Sequence, residues 1–419
     1  MGAGRRTTEA GREPELRMST DWRSRAAEVI PGGASTGSKR ADALWGADDT
    51  QLPTHYASAD GCRVTLPDGR VLVDCTMALG AVALGYGHQG VTDRVVGAAR
   101  AGNVAGLSHP IEVELAERLC DVIPCGEQVR FLKSGAEGVS AALRIARTYT
   151  GRARVVGCGY FGWHDWSSDA AGVPTGARAD YTAVPFDDVA ALEHACAATS
   201  DLAAIVLEPV IERLPGAGWL VAARRIADRT GAVLVFDEVK TGFRVAPGGY
   251  QSIAAVTPDL AIFGKALANG FPLAAVVGRR AVMDAARRTW ISSTLAGETT
   301  ALAAAIAVLD THAARDVCTA LATIGEQMMA STRRAIGDSG ATGVSVDGIP
   351  PMWFLRFTDA AAERQFLATA ATNGVLFKRG PYNFPSLAHD TAALAAIHDA
   401  ASAASGSRPA SGIRLPASP

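Results

Sequence analysis

The centre of the chain alternates two patterns, and this alternation narrows the possible folds more than any other feature. Short runs that are apolar throughout recur: VRFL (129–132), RVVG (154–157), AAIVLEP (203–209), AVLVFDE (232–238), LAIFG (260–264) and LAAVVG (273–278). Between them lie stretches of helical spacing, such as AEGVSAALRIARTY and WLVAARRIADRT. A strand with no polar face must be covered on both sides, and helices placed between successive strands impose a mostly parallel sheet. The expected fold is therefore α/β. In open sheets of this kind ligands bind beyond the carboxyl ends of the strands.

The flanking sequence reads differently. CRVTLPDGRVLVDCT places two β-rich runs around the turn Pro67-Asp68-Gly69-Arg70, a hairpin pattern. Residues 311–403 read as helix, then short strands (MWFLRF, GVLF), then helix. Together with the N-terminal segment they are expected to form a second, smaller α+β domain. The expected division is a flexible tail at 1–20, the first part of the small domain at 21–70 and a large domain at 71–310. The rest of the small domain follows at 311–403, and a Ser/Pro/Ala-rich flexible tail at 404–419.

Composition sets the remaining bounds. Of 419 residues, 48% are hydrophobic and 20% charged, enough for a large core. The net charge of −2 lacks the basic surplus of a duplex-binding protein, so no nucleic-acid partner is expected. No apolar run approaches the ~20 residues of a membrane span, so no membrane partner is expected either. The polar start lacks a signal-peptide core, and the expected location is cytoplasmic. Seven cysteines without a CxxC pair, and histidines without HExxH spacing, suggest no metal site. Lysine is scarce: only Lys39, Lys133, Lys240, Lys265 and Lys378 occur among 40 basic residues. Arg stays protonated, whereas a buried Lys can lose its proton and act as a nucleophile.

Four strand ends carry unusual residues. After VRFL, Ser134-Gly135-Ala136 lead directly into a helix; the letters suit an anion cradle of backbone N–H groups, and equally a plain Ser134 N-cap. Asp237 and Glu238 end a wholly apolar strand, where a carboxylate is costly without a cation or donors. They either cap the next loop, or Asp237 meets the protonated ring nitrogen of a bound aromatic cofactor. Lys265 follows an apolar strand and a glycine, a setting for an imine-forming amine or for a Lys that snorkels to the surface. Gly157-x-Gly159-x-x-Gly162 has the letters of a dinucleotide fingerprint, but no helix pattern opens at the third glycine. These glycines instead let Tyr160 project an aromatic face. A phosphate cradle, an aromatic platform, a carboxylate and an imine-forming lysine together fit pyridoxal 5′-phosphate.

The segments IPGGASTGSK, FLKSGAEGVSAALRIARTYTGR, GYFGWHDW, AAIVLEPV, LVFDEVKTGFR, PDLAIFGKALANGFPLAAVVG and STLAGETTALAAA span about residues 30–310. With them the chain resembles the class III (fold-type I) pyridoxal-phosphate aminotransferases, in the branch similar to glutamate-1-semialdehyde aminomutase. The resemblance implies a large domain with a mostly parallel seven-stranded sheet covered by helices, and a smaller α+β domain built from both chain ends. It implies that Lys265 is the Schiff-base lysine and proton shuttle, and that Asp237 keeps the pyridine nitrogen protonated. Val239 and Tyr160 would pack on opposite ring faces, Ser134, Gly135 and Ala136 would hold the phosphate, and Glu208 would lie near the cofactor's hydroxyl side. Thr294 would reach the phosphate of the neighbouring subunit, implying a homodimer with shared active sites.

Departures from the family pattern concern the substrate. Ala136 stands where the family usually has Thr, Phe161 where it has His, and Gly297-Glu298-Thr299 where it has Gly-Asn-Pro. Lys39, with Arg40 beside it, replaces the aminomutase's carboxylate-binding Arg. The expected substrate contacts are Lys39, Arg40 and Glu298. The resemblance then points to amino transfer from a glutamate-like donor to an aldehyde or ketone of a sugar or aminoglycoside-type intermediate. The alternative is an isomerase with the same cofactor, an aminomutase or an epimerase/racemase.

Overall fold

The computed structural model describes residues 21–46 and 52–406. The tail expected at 1–20, and that at 404–419 beyond residue 406, lie outside the described residues. Three short strands come first: β1 (Ser58–Asp60), β2 (Arg63–Thr65) and β3 (Val71–Asp74). β2 and β3 form the expected hairpin, closed by the Leu66 N–H on the Arg70 carbonyl (2.8 Å) and the Gly69 N–H on the Leu66 carbonyl (3.0 Å). The central strands are β4 (Gln128–Leu132), β5 (Arg154–Cys158), β6 (Tyr181–Ala183), β7 (Leu202–Leu207), β8 (Val233–Asp237), β9 (Leu260–Phe263) and β10 (Ala274–Gly278). Three more follow: β11 (Val344–Ile349), β12 (Met352–Phe357) and β13 (Val375–Leu376).

The central strands form one seven-stranded sheet in the order β4-β10-β9-β8-β7-β5-β6. β9, β8, β7, β5 and β6 are mutually parallel, and β10 runs antiparallel between β9 and β4. Each of the six apolar runs becomes one of these strands. The seventh, β6, is a three-residue edge strand with two exposed residues, so it carries no apolar signature. Side chains alternate faces along each strand. Ala204, Val206, Val233 and Val235 pack with Val139, Ala142 and Ala146 of the helix Gly135–Thr150. Ile205, Leu207, Leu234 and Phe236 face the opposite layer, with Leu220, Ala223 and Ile226 of the helix Trp219–Thr230. Because five parallel strands, and β4 with them, end on one edge, residues 133–134, 159–160, 208, 237 and 264–265 are delivered to the same side.

The small domain joins both chain ends, since β13 pairs in parallel with β3 in the sheet β1-β2-β3-β13. Val71–Asp74 therefore belongs with the small sheet, and a boundary after residue 70 cuts through the hairpin; both hydrogen-bonding neighbours of β3 are small-domain strands. At the other end the last helix runs Thr391–Gly406 with Ala404 buried, so 404–406 are helical rather than tail. Among the described residues no helix is long and apolar enough to cross a membrane.

Two glycines of the helix Val317–Ser339 separate packing from propensity. At Gly325 a Cβ would overlap the carbonyl of Pro350, whereas at Gly337 it would meet nothing within 4 Å. Gly325→Ala should lose about 1–3 kcal/mol in denaturant unfolding through overpacking. Gly337→Ala should gain up to ~1 kcal/mol from helix propensity.

Candidate active site

Strand register assembles the centre. Leu207 pairs with Phe236 and Asp237 with Ile262, so Glu208, Asp237 and the Gly264-Lys265 turn follow one another along the carboxyl edge. Asp237 is buried, and its Oδ1 accepts the Val239 N–H (3.0 Å). Its other oxygen accepts no hydrogen bond from the described residues. Burial and then the Glu208 carboxylate push the Asp237 carboxyl up to about 7, against the opposing pull of the Val239 N–H, Lys265 and Lys240. Lys265 leaves β9 through an extended Gly264 and adopts a left-handed backbone (φ +48°), a conformation rare outside glycine. Burial and then the Lys240 ammonium push its amine below the ordinary lysine range, while Asp237 and Glu208 pull the other way.

The adjacent carboxylate, Glu238, has another task. It is fully buried, accepts from the Tyr250 N–H (2.8 Å), the Gln251 N–H (3.0 Å) and the Thr241 hydroxyl, and so folds the loop after β8. The loop-capping reading holds for Glu238, and Asp237 is left free to face the site.

Glu208 is buried and forms an ion pair with Lys240; its Oε1 also accepts the Tyr160 N–H (2.6 Å). Lys240 lies 4.8 Å from the centre of the Tyr382 ring. Burial works against its charge, yet Glu208 first, then Tyr382 and Asp237, hold the ammonium above the ordinary lysine range. Sequence reasoning singled out Lys240 only as one of five lysines, because Glu208 and Tyr382 lie far from it along the chain.

The turn after β4 caps the helix that follows it and leaves backbone N–H groups open. Ser134 caps the helix Gly135–Thr150 in a capping box with Glu137, its hydroxyl accepting the Glu137 N–H (3.3 Å). The N–H groups of Gly135 and Ala136, at the first helical positions, have no partner among the described residues. Val239 wedges against this turn: a Cβ at Gly135 would come within 3.1 Å of it, and one at Gly264 within 3.5 Å. Gly159 and Gly162 allow the next loop to approach. A Cβ on Gly159 would lie 2.6 Å from Glu208 Cγ, and one on Gly162 would overlap Ala136. No helix opens at Gly162, in accord with the rejected dinucleotide reading.

Lys265, Asp237, Glu208, Val239 and the turn Ser134-Gly135-Ala136 are thus brought together. Tyr160 joins them through its backbone, while its ring is 74% exposed and covers nothing in the single chain. Thr294 is exposed. Three expected substrate residues go elsewhere. Lys39 and Arg40 line an exposed groove with Thr54 and His55, and Arg40 pairs with Asp42. Glu298 is buried, caps the helix Thr299–Ala314 and pairs with Lys133 (2.9 Å), so its carboxylate is occupied by structure rather than presented to a ligand.

The sequence also missed a buried strap. Met77, Ala78 and Leu79 are consecutive left-handed residues (φ 42°, 50° and 59°). Asp74 accepts the Thr76 N–H (2.6 Å) before them; Arg244 donates to the carbonyls of Gly80 (3.1 Å), Val82 (3.2 Å) and Pro385 (3.0 Å). Asn269, at the end of the Lys265 turn, accepts from the Ala83 and Leu84 N–H groups (2.9 Å each) and donates to Gly85 (3.0 Å). The strap therefore ties the turns bearing Asp237 and Lys265 to the small domain.

Raising a buried carboxyl to about 7 has a thermodynamic sign. Its favourable contribution to folding is complete below the unfolded value near 4 and is lost as pH rises through 7. In the cofactor-free protein, Asp237→Asn should raise the urea midpoint relative to the parent at pH 8, with the gap shrinking toward pH 5.

Comparison with known proteins places this geometry. A family model described as aminotransferase class-III matches residues 45–162 and 171–396. The chain is 30% identical over 353 residues to the 3-aminobutyryl-CoA aminotransferase of Cloacimonas acidaminovorans (strain Evry), covering 82% of this chain and 84% of that one. It is 33% identical over 413 residues to the glutamate-1-semialdehyde 2,1-aminomutase of Akkermansia muciniphila, covering 89% and 95%. Among solved structures, the PLP form of the FumI protein of Sphingopyxis sp. MTA144 superposes with a TM-score of 0.87 at 27% identity, covering 92% and 94%. The chain belongs to the class-III aminotransferase family and is an enzyme that works with pyridoxal phosphate.

Proposed function

We propose that this enzyme moves an amino group from a glutamate-like donor to the aldehyde or ketone of a separate acceptor of sugar or aminoglycoside type. The observation that carries amino transfer is the meeting of a Lys265 amine biased toward its neutral form with a buried Asp237 carboxyl at one sheet edge. The residues present fit the cofactor. The free oxygen of Asp237 suits a ring N–H, the open N–H groups of Gly135 and Ala136 suit a phosphate, and Val239 forms a flat apolar wall between them.

Pyridoxal phosphate supplies a carbonyl carbon that takes up amines and a protonated ring that draws electrons from the carbon bearing the amino group. The protein does the rest. The Lys265 amine, biased toward its neutral form, would be the nucleophile that tethers the cofactor, and its Nζ would take and return the proton of the substrate carbon. The Asp237 carboxylate would accept the ring N–H and so keep the ring nitrogen protonated, the ring's positive charge favouring the ionised carboxyl. Because Ser134 Oγ is engaged with Glu137, phosphate binding falls mainly to the backbone of Gly135 and Ala136.

For the acceptor, the exposed rings of Tyr160 and Trp163 on one loop offer apolar faces suited to a polyhydroxylated ring. Assembly as a homodimer is supported by the exposed large apolar side chains Leu107 (87%) and Trp290 (88%), with Val104 and Leu295 also exposed. Thr294 lies on the same exposed segment as Leu295, where it can serve a partner's phosphate site.

An aminomutase is the second reading, favoured by the relative of that name. It needs a cation holding the substrate carboxylate, and within one chain Lys39 and Arg40 line a groove with Thr54 and His55 instead. A half-reaction assay separates the two. The pyridoxamine form should aminate separate sugar aldehydes or ketones, whereas conversion of glutamate-1-semialdehyde without a separate acceptor would overturn intermolecular transfer. Lys265→Ala should reduce turnover by about 10³-fold and abolish borohydride fixation of the cofactor. Normal turnover in that variant would remove the assignment. Sedimentation should give twice the chain mass, and a monomer at working concentration would remove the shared site.

A further inference from the structure

We propose that Lys133 is a positioning residue for the cofactor's phosphate: its ion pair with Glu298 fixes the turn Ser134-Gly135-Ala136, whose open N–H groups receive that phosphate. This rests on the reading of that turn as the phosphate site, and the test below separates the two claims.

A lysine at the end of a strand ordinarily runs out to solvent. Lys133 turns inward instead, with its side chain 17% exposed. Its Nζ donates to Glu298 Oε1 (2.9 Å) and to the Pro272 carbonyl (3.2 Å). These partners belong to two other elements. Pro272 leads into β10, whose ladder with β4 ends at the pair Ala274–Leu132, so the lysine carries the link past the last strand pair. Glu298 is the N-cap of the helix Thr299–Ala314, accepting the Thr300 N–H (2.9 Å) and the Ala301 N–H (3.1 Å).

Capping alone does not explain a charge at position 298. Asparagine, which the family usually has there, caps a helix as well as an acid does. A buried carboxylate adds a desolvation cost that calls for a cation, and Lys133 supplies it. The backbone of the same lysine is pinned from another side. The Lys133 N–H (3.0 Å), the Ser134 N–H (2.8 Å) and the Ser134 hydroxyl (3.1 Å) all donate to Glu137 Oε2. Main chain and side chain of one residue are thus both fixed just before the two open N–H groups. Backbone donors hold an anion best when they are already aimed at it, because ordering them on binding costs affinity. Glu298 also ends the turn that carries Thr294, closed by the Ala296 N–H on the Ser293 carbonyl and the Glu298 N–H on the Leu295 carbonyl (3.2 Å each). In the proposed homodimer the pair therefore spaces the chain's own phosphate turn from the residue that serves its partner's.

The experiment compares pyridoxal phosphate with pyridoxal, which lacks the phosphate, on the full chain freed of cofactor. Hydrogen–deuterium exchange of the parent reads the turn directly: pyridoxal phosphate should protect the peptide spanning Ser134-Gly135-Ala136, and pyridoxal should not. Absence of that difference removes the phosphate reading, and the proposal with it. Lys133→Met/Glu298→Gln removes one charge of each sign, so the net charge near the turn is unchanged, and glutamine can still cap. Its affinity for pyridoxal phosphate should fall about tenfold, the scale of one weakened hydrogen bond to a charged group. Its affinity for pyridoxal should match the parent's. Lys133→Gln/Glu298→Gln, which keeps polar ends in the buried gap, is the second variant and carries the same expectation. Unchanged affinity for both ligands, or an equal loss for both, overturns the proposal; with the parent turn protected, the phosphate reading survives that result.

Discussion

The site rests on gathering two buried carboxyls, Glu208 and Asp237, and two half-buried lysines, Lys240 and Lys265, at one edge of a sheet. Removing a charge from water costs several kcal/mol unless a partner or a proton answers it. Glu208 and Lys240 answer each other as an ion pair, whereas Asp237 and Lys265 are left with a single backbone donor and each other's field. Those two respond by shifting toward their neutral forms, the carboxyl above and the amine below its ordinary range. The desolvation that makes this edge expensive to fold is also what shifts both groups, because one cause produces both effects.

That arrangement survives only if the backbone beneath it cannot relax. Lys265 and the run Met77-Ala78-Leu79 hold left-handed conformations that cost roughly 1–3 kcal/mol each in non-glycine residues. Asp74, Arg244 and Asn269 oppose the relaxation with hydrogen bonds to successive backbone groups between Thr76 and Gly85. Arg244 and Asn269 lie seven residues after Asp237 and four after Lys265. Arg244 also holds Pro385 of the small domain. Movement of the small domain against the sheet and the geometry of the site are therefore mechanically coupled, through carbonyl and amide contacts rather than through an apolar interface alone.

The comparison between sequence and fold is instructive residue by residue. Lys265 and Asp237 were legible because each interrupts an apolar strand at its carboxyl end, a position that the sheet's own geometry makes special. Of the two carboxylates after VLVF, sequence alone left the roles open; Glu238 takes the loop and Asp237 the site. Ser134 read equally well as cap or phosphate ligand, and its side chain caps while the adjoining backbone stays open. Glu298 looked like a substrate contact, but its carboxylate closes a helix end and pairs with Lys133. Lys39 and Arg40 occupy a groove of their own, and Lys240 emerged only when β7 brought Glu208 alongside β8.

By itself, the sequence determined the class of sheet, the strand ends that matter and the lysine and aspartate at their centre. These follow from local apolar periodicity and from residues whose burial is costly wherever they fall in that pattern. Only the tertiary structure decided which carboxylate faces the site, that Lys240 pairs with Glu208, and that Asn269 and Arg244 brace a strap lying more than 150 residues before them. Those outcomes depend on strand register and on contacts between distant segments, and a one-residue change of register would have exchanged the partners without altering any local pattern.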